Sequence, residues 1–320
     1  MKNNILLKDN DLVIVDVGAS GGIDSRWKKF TNFYKGILYE PDPSEYESLN
    51  RTKDLNEIVL NTALSDSSET IDFNLCVKQE VSSVYLPNHN FLKLFPESER
   101  WHVSKKIKIK TDTLDNSLKK NNIKDIDFIK IDTQGYELKI LSGGVKNLDK
   151  VIGLELEVEF ASIYEDQPLF GDVDSYVRSF GFELFDIQRY YWKRKESKNT
   201  GFKKGQLVFG NVLYFKTPEN LIMTSNISEK KIFRAINIYL AYGYLDLAQT
   251  LLKIVVKKNL LSKESINNIT SLLSKYELKE IISFRKIKGI GRLSRLLEII
   301  ANKFKRSMWY NGADKHLGNC

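Results

Sequence analysis

Apolar runs alternate with helix-like patterns over the first two-thirds of the chain. LVIVDVG (12–18) is an apolar run closed by a turn, which predicts a buried strand. Residues 23–33 carry apolar positions at helical spacing. Two short apolar runs, 37–40 and 58–61, predict the second and third strands. Between them a helix is expected over 43–50, opened by Pro43 in its first turn. Strand alternating with helix implies βαβ units and a parallel sheet.

The middle of the chain breaks this rhythm. TIDFNLC and KIKIKTDTL alternate in period two, as half-buried strands do. Between them lies SSVYLPNHNFLKLFPESERWH, a long aromatic stretch of the kind that forms lids or functional loops. The rhythm resumes with DFIKID and a helix beginning at Tyr136, then VIGLELEVEF, a helix in FGDVDSYVRSF, FELFDIQRYYW, a basic loop KRKESKNTGFKKG and a last strand QLVFGNVLYF. From Ser228 the pattern is wholly helical, with a hairpin turning near Gly243 that looks like one tetratricopeptide-type unit. An amphipathic helix is expected over 293–304, with Leu293, Leu296, Leu297, Ile300 and Phe304 on one face. The expected division is a catalytic domain over 1–216 and a basic helical domain over 217–320.

Charge sharpens that division. The chain has 320 residues and a net charge of +8. From Thr217 onward 18 Lys plus Arg stand against 8 Asp plus Glu, so the basicity belongs to the tail. An anionic membrane surface or a protein partner would suit it, and so would plain solvent. No nucleic-acid module is recognisable, and nucleic acid is not an expected partner. Cys76 and Cys320 lack metal or disulfide spacing, which fits a reducing compartment. The polar start is unlike a signal peptide, and no apolar run approaches the length of a membrane span. The expected location is the cytoplasm, with the tail able to hold the protein against the inner face of the membrane.

The chemistry gathers at strand ends. DVGASGG (16–22) closes the first strand, where glycines let backbone approach a ligand. The register Gly18-Ala19-Ser20-Gly21-Gly22 lacks the second and third glycines of the dinucleotide fingerprint, so a pyrophosphate has no cradle. An acid just before the turn, Asp16, suits a cationic ligand instead. S-adenosylmethionine carries a sulfonium and an ammonium. Glu40 ends the second strand 22 residues past Gly18, where a carboxylate can accept both ribose hydroxyls. At the third strand Ala63, Leu64 and Ser65 stand where an adenine ring would lie.

These motifs resemble the FkbM-type methyltransferase family. The resemblance is carried by DVGASGG, YEPDP (39–43), NTALSD (61–66), IDFIKIDTQGYELKILSGG (126–144) and QLVFGNVLYF (206–215), all in order. It implies a class I, Rossmann-like α/β fold: a mostly parallel seven-stranded sheet with one antiparallel strand, here followed by an all-helical extension. It also implies S-adenosylmethionine-dependent O-methyl transfer, often in glycan, capsule or polyketide biosynthesis. Cofactor contacts are then expected from Asp16, Gly18, Ala19, Ser20, Gly21, Glu40, Asp42, Ala63, Leu64 and Ser65. Gln134 stands where the family often has Glu, and Asn211 where it often has Asp, so neither can act as an ionised acid here.

Asp132, at the carboxyl end of a central strand, is the candidate base or orienting group. His102 in the middle loop is a second candidate, since imidazole titrates near neutrality. Gln134, Tyr136, Glu155, Glu157 and Trp101 are expected to hold the acceptor, with Glu155, Glu157 and Glu159 forming a carboxylate rim. No metal is expected, because no histidine accompanies that trio. The expected acceptor is a hydroxyl of a sugar in a bacterial surface glycan or its precursor. The alternatives are a small polyketide- or lipid-like acceptor, or a scaffold acting through its basic tail. Which hydroxyl is methylated, the identity of the base and the oligomeric state have no signature in the sequence.

Overall fold

A computed structural model describes residues 5–8, 10–30, 33–196, 205–223, 227–282, 292–297, 300, 309–312 and 316–319. Strand β1 (Leu12–Val17) leads through one helical turn, α1 (Ser25–Lys28), to β2 (Tyr34–Tyr39). Helix α2 (Pro43–Thr52) returns to β3 (Glu57–Leu60). The middle region holds β4 (Ala63–Ser65), β5 (Thr70–Cys76), α3 (His89–Leu92), β6 (Val103–Thr113) and α4 (Leu114–Lys120). The main rhythm resumes with β7 (Phe128–Ile131), α5 (Glu137–Ser142), α6 (Val145–Leu148), β8 (Gly153–Glu159), α7 (Phe170–Arg178), β9 (Phe182–Trp192) and β10 (Gln206–Lys216). The tail comprises α8 (Pro218–Met223), α9 (Glu229–Ala241), α10 (Leu245–Lys257), α11 (Lys263–Ile282) and a short strand, β11 (Tyr310–Gly312).

The main sheet runs β11-β9-β10-β8-β7-β1-β2-β3. Strands β3, β2, β1, β7 and β8 pair in parallel, and β10 is antiparallel to both neighbours. Without β11, this is the seven-stranded sheet with one antiparallel strand that the family resemblance implies. The extension is therefore not purely helical, since β11 pairs with the edge of β9. Strands β4, β6 and β5 form a separate small sheet. Among the described residues no helix is long and apolar enough to cross a membrane.

The two faces of the sheet are filled differently. One face carries Val15, Val17, Ile129, Ile131, Leu154 and Leu156, packed by Leu118 of α4, Ile140 of α5, Leu148 of α6 and Val177 of α7. On the other face, among the described residues of the 23–33 stretch that periodicity predicts as a helix, α1 is only one turn long. Ile23, Trp27 and Phe30 are nevertheless buried there, through successive tight turns rather than a continuous helix. The volume that a longer helix would occupy is taken by the tail. Ile232, Ile236, Tyr239 and Tyr242 of the α9 hairpin share one core with Ile14, Phe128, Leu213 and Phe215 of the sheet. The boundary at 216/217 thus separates strand from helix but does not divide the packing.

A buried ion cluster locks this arrangement. Asp127, just before β7, is fully buried; it accepts the Val13 N–H at 2.8 Å and the Lys231 ammonium of α9 at 2.7 Å. Arg234 bridges Asp125 at 2.8 Å and lies 3.5 Å from Asp127. The tail therefore neutralises a charge that the sheet buries. Removing Lys231 leaves the buried Asp127 with only the more distant Arg234 to compensate it, so Lys231→Met should cost about 3–5 kcal/mol of stability. Denaturant melts of the full chain will check this, and a loss below about 1 kcal/mol would show that the tail does not hold the sheet together.

Candidate active site

The site is built where β1 is flanked by β2 on one side and β7 on the other. In an open parallel sheet that reversal leaves a crevice at the carboxyl ends of the strands. Here the first turn is pinned tightly. Gly18 has φ +77°, and a Cβ on it would lie 2.0 Å from the Asp132 carbonyl oxygen. The Gly18 N–H donates to Tyr39 O, and the Asp132 N–H donates to Val17 O. Only a residue without a side chain lets the ends of β1 and β7 meet this closely.

A cavity of about 520 Å³ opens over these ends. Among the residues expected to bind cofactor, Gly18, Ser20, Glu40, Asp42, Ala63 and Leu64 line it, together with Asp132, Gln134 and Tyr136. Ala19 and Ser65 are buried beside it without lining it. The Ser65 hydroxyl is instead 3.0 Å from the Tyr136 hydroxyl and donates to Asp66. Gly21 has positive φ but does not line the cavity either. Asp42 caps α2 by accepting from the Ser44 and Glu45 N–H groups. Its own N–H fixes one oxygen of Glu40 at 2.9 Å.

Asp16 sits differently from its expected place. It is 2% exposed and does not line the cavity. Lys130 of β7 stands in front, with its ammonium 3.3 Å from Asp16, and lines the cavity itself. Burial pushes Asp16 up to about 6, against the pull of that ammonium. Lys130 is held protonated, above the ordinary lysine range, because Asp16, Asp132 and Glu155 together outweigh its desolvation.

Gln134 was expected to hold an acceptor, but protein groups take up its amide. Its Nε2 donates to Asp132 at 3.3 Å and Glu157 at 2.8 Å, and its Oε1 accepts from the Tyr164 hydroxyl at 3.0 Å. Its backbone has φ +59° and its carbonyl accepts from Ser83. Gln134 is therefore a clamp tying Asp132 to β8 and to the middle region. Glu137 closes the turn, accepting from the Thr133 N–H and hydroxyl.

The carboxylate rim does not form. Glu155 is drawn inward to Arg26 and the Tyr242 hydroxyl, and Glu157 is taken by Gln134. Neither lines the cavity. Burial beside Asp132 raises Glu157 well above the carboxylate range. Among the described residues no group of three or more His, Cys, Asp or Glu side chains is placed to hold a metal. Trp101 is also not a stacking platform. It is 2% exposed in an aromatic core with Phe95, Trp192 and Tyr164. His102 is exposed, pairs ring to ring with His89, and does not line the cavity.

An apolar wall is the feature that residue patterns left out. Ile71, Phe73 and Leu75 of β5 and Ile107 and Ile109 of β6 line the cavity. The period-two alternation of these strands is real, but their apolar face looks into the cavity, and only Ile71 also packs against the core of the sheet.

The sequence model of the Methyltransferase FkbM domain matches residues 16–184. No protein of curated function matches. Among solved structures, precorrin-6y C5,15-methyltransferase from Geobacter metallireducens is 12% identical, with 65% of this chain and 81% of that one covered and a TM-score of 0.34. A SAM-dependent methyltransferase from Aquifex aeolicus is 13% identical, covering 64% and 82%, with a TM-score of 0.30. TrmK of M. capricolum, in complex with S-adenosyl-homocysteine, is 9% identical, covering 84% and 91%, with a TM-score of 0.30.

The buried carboxylates leave a pH signature. Burial pushes Glu40 up to about 7 from 4.5, and Glu137 likewise. With Asp16, they hold protons in the folded state that the unfolded chain would release. Their contribution to stability is complete below about pH 4 and is lost as pH rises through 6 to 7. Glu40→Gln should therefore melt higher than wild type at pH 8 and level with it at pH 4. An equal difference at both pH values would contradict the assignment.

Proposed function

The chain belongs to the FkbM methyltransferase family and is an S-adenosylmethionine-dependent methyltransferase; from that premise, we propose that it methylates a hydroxyl of a sugar carried on an apolar body, such as a lipid-linked precursor of a surface glycan. The carrying observation is a cavity with two unlike walls. Four carboxylates and an amide (Glu40, Asp42, Glu80, Asp132 and Gln79) stand against the apolar face of β5 and β6. The polar groups suit several hydroxyls, and the apolar face suits a hydrocarbon or isoprenoid portion.

The residues fit the cofactor. Glu40 offers a carboxylate to a vicinal diol, Ala63 and Leu64 offer small and apolar surface to an aromatic ring, and Gly18 leaves the close approach that a Cβ would fill. When bound, the cofactor supplies an electrophilic methyl group on sulfonium. Transfer of that methyl to an acceptor oxygen would leave the sulfur–carbon bonding pair on sulfur. The acceptor also loses a proton, and Asp132 is the carboxylate in the cavity beside the first turn that can take it. Gln134 fixes one oxygen of that carboxylate, so its orientation is set before the acceptor arrives. The apolar face of β5 and β6 offers water few hydrogen-bonding partners on that side of the cavity.

A polyketide- or lipid-like alcohol is the second reading, favoured by the aliphatic wall alone. The tail supports a membrane-side location for either substrate. Leu293, Leu296, Leu297 and Ile300 are about half exposed, beside exposed Arg292 and Arg295. Phe304, expected on the same face, lies outside the described residues.

Labelled methyl donor should mark lipid-linked saccharides presented in anionic vesicles, with which the protein should sediment. Label entering only nucleotide sugars or only polyketide alcohols would overturn the acceptor assignment. Asp132→Asn should lower the transfer rate by about 10²–10⁴-fold while cofactor binding persists. Full turnover by that variant would remove Asp132 as the base.

A further inference from the structure

We infer that Lys130 is the residue that recognises the carboxylate of the cofactor's methionyl group, and that Asp16 serves to hold Lys130 in place. The inference rests on the shown use of S-adenosylmethionine and adds a contact that neither the family match nor the motifs assign.

The charges that face the cavity carry the case. Its described lining includes Glu40, Asp42, Glu45, Glu80 and Asp132, all acidic, and one cation, Lys130. S-adenosylmethionine has a sulfonium, an ammonium and one carboxylate. The acids are complementary to the first two. The carboxylate alone would be repelled by them, and the single ammonium in the lining is its only charge-matched partner among the described lining residues.

Position agrees with charge. Glu40 ends β2 and marks the place for the ribose, and Ala63 and Leu64 beyond β3 mark the place for the ring. The amino-acid end is left for the ends of β1 and β7, where Gly18, Lys130, Asp132 and Thr133 line the cavity together. The Lys130 side chain is 26% exposed and Asp16 is 2% exposed, so a ligand meets the ammonium rather than the carboxylate behind it. The ammonium has three donors and gives one to Asp16 at 3.3 Å. Buried ion pairing with Asp16, and the nearby charges of Asp132 and Glu155, keep it charged and aimed.

Binding, not turnover, tests this. Calorimetric titrations of the full chain compare S-adenosylhomocysteine, S-adenosylmethionine and decarboxylated S-adenosylmethionine. Loss of one charge-assisted hydrogen bond in a partly buried site is worth about 10- to 100-fold in affinity. Wild type should prefer S-adenosylmethionine over its decarboxylated form by that factor. Lys130→Met should weaken the carboxylate-bearing ligands by the same factor and leave the decarboxylated one unchanged. Lys130→Arg should restore most of the preference. Equal affinity of wild type for both forms of the donor would overturn the inference without needing a variant. Equal weakening of all three ligands by Lys130→Met would also overturn it, since that is the mark of a purely structural ion pair. Failure of wild type to bind any of the three ligands would instead refute cofactor use itself.

Discussion

The site depends on one backbone contact. The Cα of Gly18 lies so close to the carbonyl of Asp132 that a methyl group between them would sit 2.0 Å from the oxygen. That contact brings the ends of β1 and β7 together at the point where strand order reverses. It fixes the first turn against Asp132, and it leaves Lys130 to meet Asp16 across the same pair of strands. Gln134 and Gly135 take left-handed φ values where the chain leaves β7 sharply before α5 begins. Gln134 then turns back to clamp Asp132. Cofactor turn, candidate base and clamp are thus one structural unit rather than three separate motifs.

The strand ends were legible in the sequence because apolar runs that stop on an acid mark both the strand and its terminus. Gly18, Glu40 and Asp132 fall at one cavity for that reason. Lys130 was not legible as a ligand, since one lysine in IDFIKID reads as a solvent-facing alternation. A signal was present. Strands buried on both faces tolerate charges only in pairs, and VIVDV (13–17) and FIKI (128–131) each hold one charge, of opposite sign. The aromatic middle region misled in the opposite way. Trp101 reads as a residue that holds the acceptor, but it packs against Trp192 at 5.3 Å. Helix α4 was missed although Thr113 caps it by accepting the Asn116 N–H. Ile23, Trp27 and Phe30 keep the expected buried face with only one helical turn among them, and α9 and α10 pack on that side of the sheet.

The tail consequently has two roles in the physics of the molecule. Its buried side completes the core and compensates Asp127. Tyr242 reaches further and donates to Glu155, whose other partner is Arg26 in α1. Arg26 in turn stacks 3.9 Å over the Tyr242 ring. Through this set of contacts the tail touches residues whose charges bear on Lys130. The extension therefore supports the cofactor side of the sheet, and it is not an appendage that could be removed without consequence.

The most direct test of this account is a calorimetric titration of Gly18→Ala with S-adenosylhomocysteine, alongside circular dichroism. The account predicts that the variant keeps its secondary structure but loses measurable affinity, because the added Cβ forces β1 and β7 apart at the cavity floor. Affinity within about twofold of wild type would contradict the claim that this contact builds the site.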